Sequence, residues 1–121
     1  MNVVLKTERL SKDFGATRAV DNLSIELNRG TITALLGGNG AGKTTTLSML
    51  LGLLLPSTGK ITTFGYDFVK DRYPALARMN FSSPYVDLPQ RLTVRENLTV
   101  YAKLYGLKSI KNTVKEMVET F

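Results

Sequence analysis

The sequence predicts an α/β fold, and three observations carry that expectation. Leu23, Ile25 and Leu27 alternate with Ser24, Glu26 and Asn28, the two-residue period of a strand with one wet and one dry face. Thr31 to Leu36 ends in an unbroken apolar run that leads into glycines, as a strand buried on both faces would. Leu47, Leu50, Leu51 and Leu54 then recur at the spacing of a helix face. A chain of 121 residues is one domain or part of one.

In chain order, Val3 to Leu10 reads as a first strand, closed by a polar turn around Lys12 to Thr17. Leu23 to Asn28 reads as a half-exposed antiparallel strand, and Asn28-Arg29-Gly30 as a turn. Thr31 to Leu36 is expected to be a buried strand of parallel type. Pro56 and the Ser57-Thr58-Gly59 that follows stop the first helix. "KITTFGYD" (60–67) reads as a short strand and turn, and Asp71 to Arg78 as a short helix with Pro74 near its start. Residues 82–91 hold two prolines and read as a loop.

Thr93 caps the next helix, and "TVRE" is a capping box in which Glu96 reaches back. Val94, Leu98, Tyr101 and Tyr105 are expected on its apolar face, with Gly106 ending it. Ser109 is expected to cap a last helix, with Ile110, Val114, Met117 or Val118, and Phe121 on its apolar stripe. The stripe still runs at Phe121, a pattern expected of a sequence that continues.

Charge and cysteine content remove some classes. The net charge of +6 comes from scattered residues with no run of five, so no direct nucleic-acid partner is expected. Without cysteine there is neither a disulfide framework nor a thiolate metal site. "MNVVLKTERLSK" has no apolar core of signal-peptide length. The most apolar run, "LSMLLGLLLP", spans about ten residues where a membrane helix needs about 20.

"LLGGNGAGKTTTLSML" (35–50) carries the chemistry. Gly37, Gly42, Lys43 and Thr44 satisfy G-x-x-x-x-G-K-[ST], a match that chance produces in about 0.4% of chains this long. Glycines let the backbone turn its amides inward and approach phosphates closely. The helix that opens near Lys43 adds free N–H groups and a positive dipole end. The Lys43 ammonium suits β- and γ-phosphate oxygens, and the Thr44 hydroxyl suits Mg²⁺. Gly37, Gly38, Asn39, Gly40, Ala41, Gly42, Lys43, Thr44 and Thr45 are the candidate binding residues.

Around this loop the chain resembles the nucleotide-binding subunit of ABC transporters. "GGNGAGKTTTLSMLLGLLLPSTGKITTFGYD" is similar to that family's phosphate loop, first helix and following strand, with Gly59, Ile61, Gly65 and Asp67 in pattern. "LTVRENL" (92–98) resembles the opening of its helical subdomain. The resemblance implies a P-loop NTPase fold of the ABC ATPase type, with N-terminal antiparallel strands and truncated before the rest of the parallel sheet. It implies an ATP-binding core over 1–92, with the phosphate loop at 37–44, and the start of the helical subdomain over 93–121. Phe14 sits where the family stacks an aromatic ring, more often Tyr, on adenine. Gly38 stands where the family often has Pro. Pro84 stands where the family has a glutamine that senses γ-phosphate and metal; Gln90 lies too close to Leu92 to align with it. Ser82 or Ser83 is the candidate for a metal-directed oxygen in its place.

The same resemblance separates binding from hydrolysis. The family needs an apolar strand ending in Asp with an adjacent Glu, a loop like L-S-G-G-Q, and a switch histidine. This sequence has no His, and no Asp in it ends an apolar run of four. The expectation is an ATP-binding subunit of a transporter that holds Mg-ATP here but is deficient in hydrolysis on its own. Its implied partners are a membrane-spanning subunit and a second ATP-binding subunit, at the cytoplasmic face of a membrane. Marginal stability or association is expected of the isolated chain. Alternatives are a soluble ABC-type ATPase acting on ribosomes or DNA, and a short non-catalytic nucleotide-binding protein. A small-molecule kinase or GTPase leaves the resemblance unexplained and lacks a guanine-reading motif.

Overall fold

The computed structural model describes residues 2–85 and 87–121. Residues up to Asn80 form one compact unit and Phe81–Phe121 another. In the first unit a sheet is organised around one long strand, β1 (Val3–Phe14). On one side its later half pairs with β2 (Thr17–Leu23) and its earlier half with β3 (Glu26–Asn28). On the other side it pairs with β4 (Thr58–Thr63), which pairs with the short β5 (Tyr66–Asp67). Every one of these pairings is antiparallel.

The polar turn expected from Lys12 is strand as far as Phe14, and a bulge explains the difference. Glu8 pairs with Lys60 and Ser11 with Thr58, so β1 spends one residue more than β4 between the two pairs. Arg9 takes that extra place with φ +47°. Leu5 and Thr7 are buried before it and Leu10 and Ser11 after it, so the inward alternation resets at the bulge. Gly59 lies opposite: a Cβ there would stand 2.4 Å from the Arg9 carbonyl oxygen and 2.6 Å from the Leu10 Cα.

The expected alternation over Leu23 to Asn28 is present, with the odd positions half-buried and the even ones exposed. The segment breaks at Ser24-Ile25, between β2 and β3, and the buried Thr7 hydroxyl spans the break. It donates to the Leu23 carbonyl at 2.9 Å and accepts from the Ile25 amide at 3.0 Å. Hydrogen bonding within the group removes the cost of burying it.

Thr31 to Leu36 does not form the buried parallel strand that the apolar run suggests. It pairs with nothing in the sheet, and Ile32 and Leu36 are 103% and 87% exposed. A parallel strand needs a parallel neighbour, and among the described residues all pairing is antiparallel.

Helix α1 (Lys43–Leu50) packs against the sheet in a core of Leu5, Leu10, Val20, Met49, Leu50, Ile61, Phe68 and Ala75. Its inward face is Thr46, Met49 and Leu50, with Leu54 packed alongside. Leu47, expected inward, is exposed. The helix is only eight residues long and unwinds after Leu50, where the Leu53 and Leu54 amides both turn back to the Ser48 carbonyl. The 3.6-residue period therefore fails to carry from Leu47 to Leu54. Helix α2 (Tyr73–Leu76) starts with its proline in the first turn, as expected.

In the second unit, α3 (Val94–Leu104) and α4 (Ile110–Thr120) pack together. The capping box forms in full. The Glu96 carboxylate accepts from the Thr93 amide at 2.7 Å, and the Thr93 hydroxyl accepts from the Glu96 amide at 3.2 Å. Gly106 has φ +67° and ends the helix. The buried residues of α3 are Asn97 and Ala102, while Val94, Tyr101 and Tyr105 of the expected apolar face are exposed. Asn97 is buried because its amide nitrogen reaches the Pro89, Leu92 and Thr93 carbonyls at 3.2 Å each, tying the preceding loop to the helix. On α4, Val114 is buried and Val118 half-buried, whereas Met117 and, just past the helix, Phe121 are exposed. Ser109 stands at the N-cap without a side-chain capping bond. Among the described residues no helix is long and apolar enough to cross a membrane.

Donation from the Thr93 backbone amide, and then from its hydroxyl, holds the Glu96 carboxyl below its ordinary value. A carboxylate lowered on folding contributes stability that is complete above its unfolded value of about 4.3 and lost as the pH falls through the folded value. Glu96→Gln keeps an acceptor for the box but cannot titrate. An acid titration followed by circular dichroism should therefore show a smaller loss of helical signal below about pH 4 in this variant. Identical acid profiles for the two chains contradict the assignment.

Candidate phosphate-binding site

The site forms where β2 meets the loop that opens α1. The Ala19 carbonyl stands where a side chain on Gly42 would go. A Cβ at Gly42 would lie 2.3 Å from that oxygen and 3.3 Å from Val20 Cγ2. Gly42 also has φ +90°, a conformation L side chains rarely adopt. Before it, Gly40 turns the chain with φ +82°, and the Ala41 amide donates to the Gly38 carbonyl at 3.1 Å. A Cβ at Gly37 would come within 2.9 Å of Ala41 Cβ. Glycine at 37 and 42 thus has a steric cause. At Gly38 an added Cβ meets nothing within 4 Å, so that position tolerates more.

These residues enclose a cleft of about 280 Å³ lined by Ala19 and by residues 39–45. Helix α1 begins into it without a cap. Gly42, the N-cap residue, has no side chain to offer, and the first turn holds no acidic residue. The first intrahelical bond runs from the Thr46 amide to the Gly42 carbonyl at 2.8 Å. The amides of Lys43, Thr44 and Thr45 precede it and have no acceptor within the helix. The Lys43 ammonium folds back on the loop, donating to the carbonyls of Gly37 and, at 2.7 Å, Gly38. Donors from three amides and a cation therefore surround the cleft with no carboxylate among its lining, the composition of an anion site.

The remaining candidates are Phe14, Thr44, Ser82 and Ser83. Phe14 ends β1, paired with Thr17 across the hairpin, and is 51% exposed. It is not among the residues lining the phosphate-loop cleft. The hairpin beneath it is clamped by Arg18, which forks to Asp13 at 2.8 and 3.3 Å and reaches Asp21 at 3.1 Å. The Arg18 guanidinium holds the Asp13 carboxyl below its usual range. Thr44 lines the cleft and is exposed. Ser82 and Ser83 belong to the second unit, where the Ser83 hydroxyl accepts from the Tyr85 amide at 3.2 Å. No cluster of three or more His, Cys, Asp or Glu able to hold a metal occurs among the described residues. Ala19 was not legible as a site residue: only its small size on a strand hints at the close approach.

The family profile described as "ABC transporter" matches residues 20–121, from within β2 through the phosphate loop to the end of the second unit. The chain belongs to the ABC transporter family. The bacitracin transport ATP-binding protein BcrA of Bacillus licheniformis is 41% identical over 119 residues, covering 98% of this chain and 39% of that protein. The phospholipid-transporting ATPase ABCA3 of Homo sapiens is 41% identical over 120 residues, covering 94% of this chain and 7% of that protein. A solved ATP-binding subunit of an ABC transporter superposes with a TM-score of 0.76 at 30% identity, over 88% of this chain and 44% of that one. A nucleotide-free ATP-binding cassette from an ABC transporter superposes at 0.68 with 29% identity, over 94% and 46%. The fold is that of the ABC-type P-loop ATPase domain, and the chain spans less than half the length of these relatives.

The contact between Gly42 and Ala19 can be isolated from the strain of positive φ. Gly40→Ala suffers only the latter, since an added Cβ there meets nothing within 4 Å. Gly42→Ala suffers both. Each should cost about 1–3 kcal/mol for the backbone alone, and Gly42→Ala should cost measurably more in urea unfolding. Equal losses in the two variants contradict the contact.

Proposed function

We propose that this chain binds Mg-ATP through its phosphate loop as part of the ATP-binding subunit of an ABC transporter. The observation that carries the proposal is the uncapped start of α1, with free amides at Lys43, Thr44 and Thr45 beside the Lys43 ammonium. Residues 37–45 cradle the phosphates. On binding, the Lys43 ammonium exchanges the Gly37 and Gly38 carbonyls for β- and γ-phosphate oxygens, gaining charge-assisted bonds. The Thr44 hydroxyl is a hard oxygen that suits Mg²⁺, an ion usually held by one or two protein oxygens together with substrate phosphates. Bound there, Mg²⁺ neutralises charge on the phosphates. Ser82 or Ser83 is proposed as a second oxygen donor, and Phe14 as a platform for the adenine ring.

Transport requires a route through the membrane, and no described helix is long enough to supply one. Relatives named as ATP-binding proteins of transport systems support a membrane-spanning partner subunit. A second ATP-binding subunit, and a place at the cytoplasmic face of the membrane, are proposed with it. Residues 93–121 are proposed as the start of the helical subdomain. We assign binding rather than turnover to these 121 residues. The sequence offers no histidine and no Asp-Glu pair closing an apolar strand to position water.

Lys43→Ala tests the reading. It should weaken Mg-ATP binding at least tenfold by calorimetry, about the worth of a charged hydrogen bond, and leave the circular dichroism spectrum unchanged. Unaltered affinity removes Lys43 from the site.

A further inference from the structure

Lys12 makes two contacts from one ammonium. Its Nζ donates to the Leu55 carbonyl at 2.8 Å and lies 5.2 Å from the centroid of the Phe14 ring. Leu55 belongs to the segment that follows α1, so Lys12 ties the end of β1 to the far side of the phosphate-loop helix. A lysine loose in solvent samples many rotamers. One anchored on a carbonyl keeps its charge over the ring. Arg18, the cation on the facing strand β2, is engaged by Asp13 and Asp21.

We propose that Lys12 is a positioning residue for the nucleotide base. It fixes the Phe14 ring and polarises it, preparing the exposed part of that ring for a flat heteroaromatic ligand. This rests on the reading of Phe14 as the base platform. A ring face is electron-rich, and a cation over one face draws that density toward itself. The opposite face then repels an incoming π-system less. A ring already held in place also costs less to order when the base arrives. The Leu55 anchor extends the effect, because it makes the position of the base platform depend on the segment closing the phosphate-loop helix.

The test compares Mg-ATP with Mg-tripolyphosphate, which offers phosphates without a base. Lys12→Met keeps the aliphatic stem and removes the charge. It should weaken Mg-ATP about threefold, the size of an exposed cation–π contact, and leave tripolyphosphate affinity as in the wild type. Lys12→Arg, which stacks and donates, should restore the loss. Phe14→Ala should weaken Mg-ATP about tenfold, and adding Lys12→Met to it should cost nothing more. Equal loss for both ligands in Lys12→Met marks a strap without a role toward the base and overturns the proposal, as does no loss at all. A selective Phe14→Ala effect beside a silent Lys12→Met refutes Lys12 alone. A silent Phe14→Ala refutes the base platform, and the role of Lys12 with it.

Discussion

The van der Waals limit between the Ala19 carbonyl and Gly42 decides where the phosphate loop sits. No side chain fits between them, so the loop can press its backbone against β2 only because position 42 is glycine. From that contact the rest follows in order. With Gly42 lodged there as the N-cap residue, α1 opens beside the strand and the amides of its first turn border the cleft. Val20, next to the contact, is buried in the same core as Met49 and Leu50 on the helix, so strand and helix are held from both sides. β2 is itself placed by β1, through the hairpin and the Arg18 clamp on Asp13. The clamp is exposed and contributes little alone, which leaves burial of the apolar core as the main support.

The chemistry of the cleft comes from what surrounds it. Residues 37–45 include no acid and one cation, and the helix dipole adds partial positive charge where the free amides converge. Carbonyls of Gly37 and Gly38 give Lys43 acceptors on the loop itself. A polyanion competes with two neutral carbonyls for that ammonium, and charged acceptors win such a competition. Loop geometry and loop charge therefore favour the same class of ligand.

Much of this was legible in the sequence wherever the partners are close along the chain. The capping box needs only Thr93 and Glu96, and the turn after β4 needs only Phe64 and Gly65, both at positive φ. The loop motif is read over eight consecutive residues for the same reason. Legibility fails where an outcome depends on distant partners. The run from Thr31 to Leu36 reveals an appetite for burial but cannot reveal that the sheet pairs elsewhere. Leu47 and Met49 are equally apolar, and only the packing of a short helix decides which turns inward. Asn97 looks like a surface residue until the carbonyls of Pro89 and Leu92 surround its amide. The bulge at Arg9 hides the second half of β1, because it breaks the alternation by which a strand is recognised. Ala19 carries no pattern at all.

The measurement that tests the account most directly is a ¹H–¹⁵N NMR titration of the chain with Mg-ATP. The account predicts the largest shifts at the amides of Gly40, Gly42, Lys43, Thr44 and Thr45, the donors at the loop and first helical turn. Shifts concentrated elsewhere in the sheet, for instance around Arg9, Gly59 and Lys60, with these loop amides unmoved, would contradict it.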